Sequence, residues 1–529
     1  MRVLRVLAGA AVALALVACQ ATGSGTPTNP HDASTTLRLA ETNEYETLNP
    51  LEYTFSITSK FYDSLVTVGP DGLEPELATE MPVANADLTQ WTVSLHQGIT
   101  FSDGSVFDAD DVVAAYEAVL DPATASPLRG SYQIVTDVEA TDADTVVFTL
   151  SQPYADFPVM LMLGIPSSEM VSGSILDSSL AREPVGTGPY TLADWQQGSS
   201  MTLQARDDYW QGTPSIAQIF IGFVPDENAR AQRLLAGDFD GAQLSPVVAS
   251  SLDGQQGLEM FSNQTGDYRG ITLPQSLPFF TDPDVRIALN LGTDRQAMVD
   301  GILAGHGTAI STPITPSFGD AFNPDATFGY DPERAASLLD EAGWPVGEDG
   351  VRAKDGVRFS FELMYFAEDS VRRDIAQSFA SDMAQLGIEV QLSAVDRPQA
   401  KQKMETTAFV LGGGDVPYSP DTQAYSALHS SFADFDPDDP YSNPSGYRNA
   451  EVDALLDAAR SEPDPAARDS DYRELQQALI ADPPTVSVFV LEHTYVARGL
   501  EQHSPIEHVT EPHEHGIAWG PWWNVASWR

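Results

Sequence analysis

The sequence predicts an α/β protein of more than one domain. Three observations carry this, and the first two are that short apolar–polar alternations of period two recur along the chain and that segments of helical spacing separate them. The third is length, since 529 residues correspond to about two to four domains of ordinary size. Taken in order, residues 35–39 start the body as a strand. Residues 91–95 form the next, with Trp91, Val93 and Leu95 on one face. Residues 109–120 read as a helix whose first turn carries Asp110 and Asp111, where acidic side chains suit the helix dipole. Strands follow at 145–150, 201–205 and 216–224, the last apolar enough to be buried on both faces. Helices are expected at 228–236, 283–291, 295–303, 332–342, 370–386, 450–459 and 467–481. Further strands are expected at 357–363, 388–392 and 485–491.

The N-terminal segment has a different character. Arg2 and Arg5 precede an apolar run, 6–17, too short to span a bilayer and of the length of an export-signal core. It ends in Leu16-Val17-Ala18-Cys19, which resembles a bacterial lipobox. Residues 1–18 are read as a signal peptide. Residues 19–35 are read as a lipidated Cys19 followed by a flexible tether rich in Gly, Ser, Thr and Pro. Cys19 is the sole cysteine, so no disulfide is expected in the body. No later stretch reaches 18 consecutive apolar residues, which places the body outside the bilayer, tethered by lipid to the outer face of a bacterial cell membrane. The net charge is −49 and only four lysines occur, Lys60, Lys354, Lys401 and Lys403. That balance argues against nucleic-acid partners, which need clustered cations.

The inventory of chemical motifs points to capture rather than catalysis. There is no phosphate-binding loop, no HExxH or CxxC metal signature and no GxSxG nucleophile elbow. Gly412-Gly413-Gly414 lacks the spacing of a dinucleotide site and is read as a place of close backbone approach at a strand end or a ligand. Five of nine histidines lie from His493 onward, and His513 and His515 could offer two imidazoles on one face of an extended segment. No catalytic residues and no cofactor are expected. An exported hydrolase using an Asp/Glu pair is the remote alternative.

A set of motifs in fixed order identifies a family resemblance. Leu48-Asn49-Pro50, Tyr62-Asp63-Ser64-Leu65-Val66 and Pro75-Glu76-Leu77-Ala78 come first. Phe101-Ser102-Asp103-Gly104-Ser105 then runs into Ala109-Asp110-Asp111-Val112-Val113. Gly186-Thr187-Gly188-Pro189-Tyr190, Tyr209-Trp210, Arg286-Ile287-Ala288-Leu289-Asn290 and Tyr330-Asp331-Pro332 follow. In this order they resemble the extracytoplasmic solute-binding proteins of ABC importers, family 5, the peptide/nickel class, over almost all of residues 36–528. Arg206 stands where many members carry asparagine. The turn and helix-start residues in these motifs are read as scaffold.

The resemblance implies a two-lobed periplasmic-binding-protein-like fold with an extra subdomain in the first lobe and a ligand cleft between the lobes. Its expected boundaries are 36–265 for the first lobe, with the subdomain at about 70–185, 266–490 for the second, and 491–529 returning to the first. The resemblance implies a monomeric binding protein, not an enzyme, that hands a peptide or other small solute to membrane permease subunits. Peptide-binding relatives pair an aspartate with the peptide α-amino group, and Asp415 matches that position. The site expected around it comprises Gly414, Val416, Tyr418, Tyr53, Tyr425 and His429. Nickel-binding relatives give a competing alignment in which Tyr418 falls on their cleft tyrosine. Their tryptophan is Gly414 here, no arginine occurs in 157–170, and His429 is the nearest candidate for their metal-proximal histidine. A metal or metal-chelate site built from His429, His513 and His515 is therefore the alternative. Trp519, Trp522 and Trp523 are expected to serve core or interlobe packing.

Overall fold

The computed structural model describes residues 36–54, 56–414, 416–437, 439–513 and 516–529. The expected signal peptide, Cys19 and tether, and the site residues Asp415 and His515, lie outside the described residues.

Two sheets dominate. The first has seven strands in the order Leu258–Asn263, His493–Arg498, Gly241–Gln243, Thr36–Glu41, Gln218–Phe223, Ser200–Ala205, Tyr190–Gln196. Its central strand Thr36–Glu41 runs parallel to both neighbours, with Leu39 opposite Ile221 and Ala40 opposite Ala242. Both faces are packed: Leu37, Leu39, Ile219 and Ile221 join Trp522 and Trp528 on one side, and Ala40 joins Leu234, Phe239 and Val496 on the other. The apolar strand expected at 216–224 does serve two cores, because Phe220 packs into the second of them.

The second sheet has six strands, ordered Gly307–Ala309, Thr485–Leu491, Tyr268–Thr272, Ala408–Gly413, Ser360–Phe366, Glu389–Val395. Ile271, Leu363, Val410 and Val488 pack against Leu289 of helix Pro283–Leu291 and Phe379 of helix Ser370–Gln385. Helices Pro420–Leu428, Ala450–Ser461 and Pro465–Ala481 add a small core of their own around Tyr425, Tyr447, Leu456 and Tyr472. The strand expected at 357–363 is broken. A hairpin of Ala353–Lys354 and Val357–Arg358 turns through Gly356 at φ +82, and the sheet strand starts only at Ser360.

A third unit is a four-stranded antiparallel sheet, Val83–Ala84, Gln90–Ser94, Thr145–Leu150, Val135–Asp142. Helix Ala109–Leu120 covers it and contributes Tyr116 to a core with Trp91, Phe148 and Phe157. Asp108 and Asp111 close a reciprocal capping box at the helix start, which explains the acidic motif as scaffold. Gly186 and Gly188 are scaffold too, since a Cβ on either would lie 2.2 Å from the Phe61 carbonyl oxygen or 2.5 Å from its carbon. Arg206, buried, donates to the carbonyls of Gly186, Thr187 and Gly188 and to those of Thr100 and Phe101, so it staples two family motifs together.

The chain passes between the two large sheets twice. Residues 264–267 link Leu258–Asn263 to Tyr268–Thr272, and Glu492 alone separates Thr485–Leu491 from His493–Arg498. The units built on the first and second large sheets are called the first and second lobes below.

Candidate functional site

A cavity of about 270 Å³ opens on the first-lobe side of the lobe junction. Its walls come from the segment after Leu48-Asn49-Pro50, from the start of the small-sheet unit, and from the C-terminal WGPWW stretch. Tyr53 lies on its rim, 37% exposed, with Met162, Trp519 and Trp523 lining it. Trp519 and Trp523 flank the short turn Gly520–Trp522 and stack nearly parallel at 13°. Trp522 between them points the other way, fully buried against Tyr495. The tryptophan cluster is thus divided between core and cavity wall.

The cavity floor is ionic. Lys60 ends the turn Ile57–Lys60, and its Nζ donates to the carbonyls of Ala518, at 3.3 Å, and Trp523, at 2.6 Å. Burial lowers its ammonium to about 7. Asp63 accepts from Trp210 Nε1 at 2.8 Å and Tyr209 Oη at 3.2 Å, and burial raises its carboxyl. Glu76 accepts from the backbone and hydroxyl of Ser64; burial, with the Asp63 charge beside it, pushes it upward.

From the second lobe, Tyr418 packs onto the cluster of Val68, Met162, Trp519 and Trp523 and donates its hydroxyl to the Thr510 carbonyl at 3.1 Å. The structure therefore brings Tyr418 to the Tyr53–Trp519 wall. The lobes also meet further out. Ser419 donates to Asp156 of the small-sheet unit, Arg468 pairs with the same carboxylate at 3.2 Å, and the Ala155 amide donates to the Arg460 carbonyl at 2.9 Å. This is a closed arrangement.

The three glycines before Tyr418 each have a separate reason. A Cβ at Gly412 would lie 2.4 Å from Arg372 Nη2, one at Gly413 would lie 2.4 Å from the Tyr268 ring, and one at Gly414 would lie 2.0 Å from the Gly266 carbonyl oxygen. Gly414 also sits at φ +101. Close backbone approach, as the sequence suggests, is what they provide. Val416 follows, half-buried, on the same loop, with its carbonyl accepting from Thr422.

Tyr425 and His429 are placed elsewhere. Their rings stack on each other at 4.8 Å within the helical core of the second lobe, and neither lines the cavity. Tyr425 donates to Asp457 and carries the Arg460 guanidinium 3.2 Å over its ring centroid. His429 bonds Ser431 through Nδ1 and faces Asp457 through Nε2. Among the described residues no three His, Cys, Asp or Glu side chains converge as a metal site.

The crossovers hold an ionic network that sequence reading missed. Asp267, on the first crossover, faces His493 Nε2 at 3.3 Å, Arg269 and His513 Nδ1 at 2.5 Å. His493 opens the strand after the second crossover, and its Nδ1 faces Glu511 at 2.9 Å. Glu511 also accepts from Tyr495, Asn263 and the Gly520 amide. His513 reaches the second lobe through its amide, which donates to the Gly414 carbonyl at 2.8 Å. Asp267 is fully buried, yet Arg269 and the two histidines hold its carboxyl well below the usual range. The signal that could have found it is Gly-Asp-Tyr-Arg-Gly: two opposite charges two residues apart in an extended segment share one face.

Comparison with known proteins agrees with this architecture. The family described as bacterial extracellular solute-binding proteins, family 5 Middle, matches residues 72–435. Protein XP55 of Streptomyces lividans is 36% identical over 494 residues, covering 92% of this chain and 90% of that protein. The glutathione-binding protein GsiB of Escherichia coli O1:K1 / APEC is 30% identical over 477 residues, covering 88% and 87%. Among solved structures, NikZ from Campylobacter jejuni in complex with Ni(L-His) superposes with TM-score 0.81 at 24% identity, covering 93% of this chain and 99% of that one. The oligopeptide-binding protein AppA from Bacillus subtilis, in complex with a nonapeptide, gives 0.77 at 25% identity, covering 93% and 98%. No helix among the described residues is long and apolar enough to cross a membrane. The matching proteins are solute receptors of ABC transporters with two lobes, and this chain belongs to their family, the bacterial extracellular solute-binding proteins of family 5.

Proposed function

We propose that this protein captures peptides between its lobes and delivers them to the permease of an ABC importer, held at the membrane by a lipid on Cys19. One observation carries the peptide reading. The strand Ala408–Gly413 leads to Gly414, and Tyr418 four residues later joins the lobes, so position 415 falls in the sequence between the strand and that contact. The carboxylate of Asp415 would meet the α-ammonium that every free peptide shares, with a charge-assisted hydrogen bond that ignores side chains. The relatives AppA, in complex with a nonapeptide, and DppA from Helicobacter pylori, in complex with the peptide STSA, give the reading its analogy.

Residues 20–529, purified without chelators, decide the matter by native mass spectrometry and calorimetry. Peptide capture gives a spread of adducts in the peptide mass range that disappears on denaturation. Asp415→Ala should then weaken peptide binding by about 2–4 kcal/mol, and N-acetylated peptides should lose a similar amount. Undiminished affinity for N-acetylated peptides removes the Asp415 anchor. A single sharp adduct at a metal-chelate mass replaces peptide with the metal-chelate reading, and moves attention to His513 and His515.

A further inference from the structure

Of the four lysines, the fold takes Lys60 out of water. It is 4% exposed, while Lys354, Lys401 and Lys403 are exposed. Among the described residues its Nζ meets two acceptors, the carbonyls of Ala518 at 3.3 Å and Trp523 at 2.6 Å. No carboxylate among the described residues pairs with it, whereas exposed Lys403 pairs with Glu362 at 3.7 Å. The carboxylates that line the same cavity are Asp63, Glu74, Glu76 and Glu507, and Arg529 is the other cation there.

Donor accounting says which form of Lys60 fits this place. An ammonium carries three N–H donors and a neutral amine two. Two carbonyls and no counter-charge suit the neutral amine: both N–H groups are met, a lone pair is left over, and no buried charge goes unpaired. Burial lowers the group to about 7, which is the same direction. A desolvated lysine of this kind is a nucleophile at neutral pH, where an exposed lysine is held back by its proton.

The cavity supplies the other parts of a reaction with a carbonyl group. Trp523 Nε1 is buried there without a hydrogen-bond partner among the described residues, so an indole N–H lacks its acceptor. Burial and the Asp63 charge push the Glu76 carboxyl up to about 8, so it holds a proton at neutral pH. Tyr53, Met162 and Trp519 give the walls flat apolar surface. The volume of about 270 Å³ lies just under the roughly 300–1,000 Å³ of pockets for drug-sized ligands, which favours a small molecule. A carbonyl joins these parts, because it offers an electrophilic carbon to the lone pair and an acceptor oxygen to the indole.

We propose that Lys60 is a nucleophilic amine that captures a small solute bearing an aldehyde or ketone as an imine, with Trp523 Nε1 holding the carbonyl oxygen. The Nζ lone pair forms the C–N bond as the carbonyl π pair moves to oxygen. One Nζ proton passes to that oxygen, giving a carbinolamine. The hydroxyl then departs as water with the proton of the Glu76 carboxyl, leaving an iminium at Nζ and a carboxylate on Glu76. The reverse steps return the solute unchanged, so this capture is compatible with transport, and it does not rest on the solute being a peptide.

Two arms test it on the purified protein. In the first, the lysines are labelled with trace isotope-coded acetic anhydride from about pH 5 to about pH 10 and read one by one by mass spectrometry. The Lys60 rate should reach half its plateau at about 7, with the exposed three still rising at the alkaline end. A Lys60 that stays unlabelled at every pH, or that rises together with the exposed three, overturns the nucleophile. In the second arm, benzaldehyde is added at neutral pH and the imine is trapped with sodium cyanoborohydride. The secondary amine should form at Lys60 at least about tenfold faster than at Lys354, Lys401 or Lys403. Equal rates at all four overturn the proposal. Trp523→Phe keeps an aromatic ring and removes the N–H. It should slow trapping at Lys60 by about fivefold and leave the labelling midpoint in place. Trapping at the wild-type rate overturns the part given to the indole. Both wild-type arms stand whether or not that variant folds, and thermal melting reports whether it does.

Discussion

His493 has a carboxylate at each ring nitrogen, Asp267 at Nε2 and Glu511 at Nδ1, and is itself buried. A neutral imidazole donates from one nitrogen only, which would leave the other facing an acceptor lone pair to lone pair, so this geometry calls for the imidazolium. Burial alone would lower its affinity for the proton. The hydrogen bonds to Asp267 and Glu511 and their charges outweigh that and raise it to about 9. A folded value above the ordinary one of about 6.5 contributes stability that is complete below that value and lost as pH rises through about 9. The contribution is about 3 kcal/mol at most. Urea midpoints measured from about pH 6 to about pH 10 should therefore converge for the wild type and His493→Gln at the alkaline end. Profiles that stay parallel throughout would contradict the assignment.

Elements differ in how openly the sequence announces them. Strands Thr145–Leu150 and Thr485–Leu491 and helix Pro283–Leu291 coincide with the expected residues: the first strand and the helix each turn an apolar face to one core, and Thr485–Leu491 is an apolar run buried on both faces. Strands Leu258–Asn263 and His493–Arg498 were not legible. They are paired with each other, and their polar members Asn263, His493 and Thr494 are buried in hydrogen bonds at the crossover instead of facing water, so period two is masked. The candidate site was legible only in part. Tyr53 and Tyr418 do border the lobe junction, whereas Tyr425 and His429 follow Tyr418 closely in sequence but are carried into another core by helix Pro420–Leu428. The glycines were legible as close approaches but not by partner. Gly414→Ala should cost roughly 2 kcal/mol or more, since it adds a backbone clash to a positive φ. Gly301→Ala, in helix Arg295–Ile302 with open space around it, should be neutral or stabilising by up to about 1 kcal/mol. Equal effects of the two on urea midpoints would refute the account of the loop.

At the scale of the whole molecule, the described contacts between the lobes away from the crossovers centre on Asp156, Arg460 and Tyr418. Asp156 takes Ser419 and Arg468 from the opposite lobe, with both partners of the ion pair 17% exposed. Asp156→Ala should shift the ligand-free protein toward an open form by about 1 kcal/mol, seen as a larger radius of gyration in solution scattering and about fivefold faster solute release. An unchanged scattering curve together with unchanged release would show that the Tyr418 cluster and the Ala155–Arg460 bond hold the lobes together without Asp156. The same accounting explains why the small-sheet unit matters to closure although it has its own core: it supplies Asp156 and Met162 to the opposite lobe.

The place of His493–Arg498 in the seven-stranded sheet has a consequence for the order of events during synthesis. That strand pairs with Leu258–Asn263 on one side and Gly241–Gln243 on the other, and Leu258–Asn263 has no other neighbour in the sheet. Every strand of the six-stranded sheet, by contrast, lies between Tyr268 and Leu491. A chain emerging from its N-terminal end therefore completes the six-stranded sheet first. The sheet begun by Thr36–Glu41 must wait with an unfilled slot until the last tenth of the sequence arrives, and a chain halted before His493 would display two unsatisfied strand edges to whatever chaperone or protease it meets.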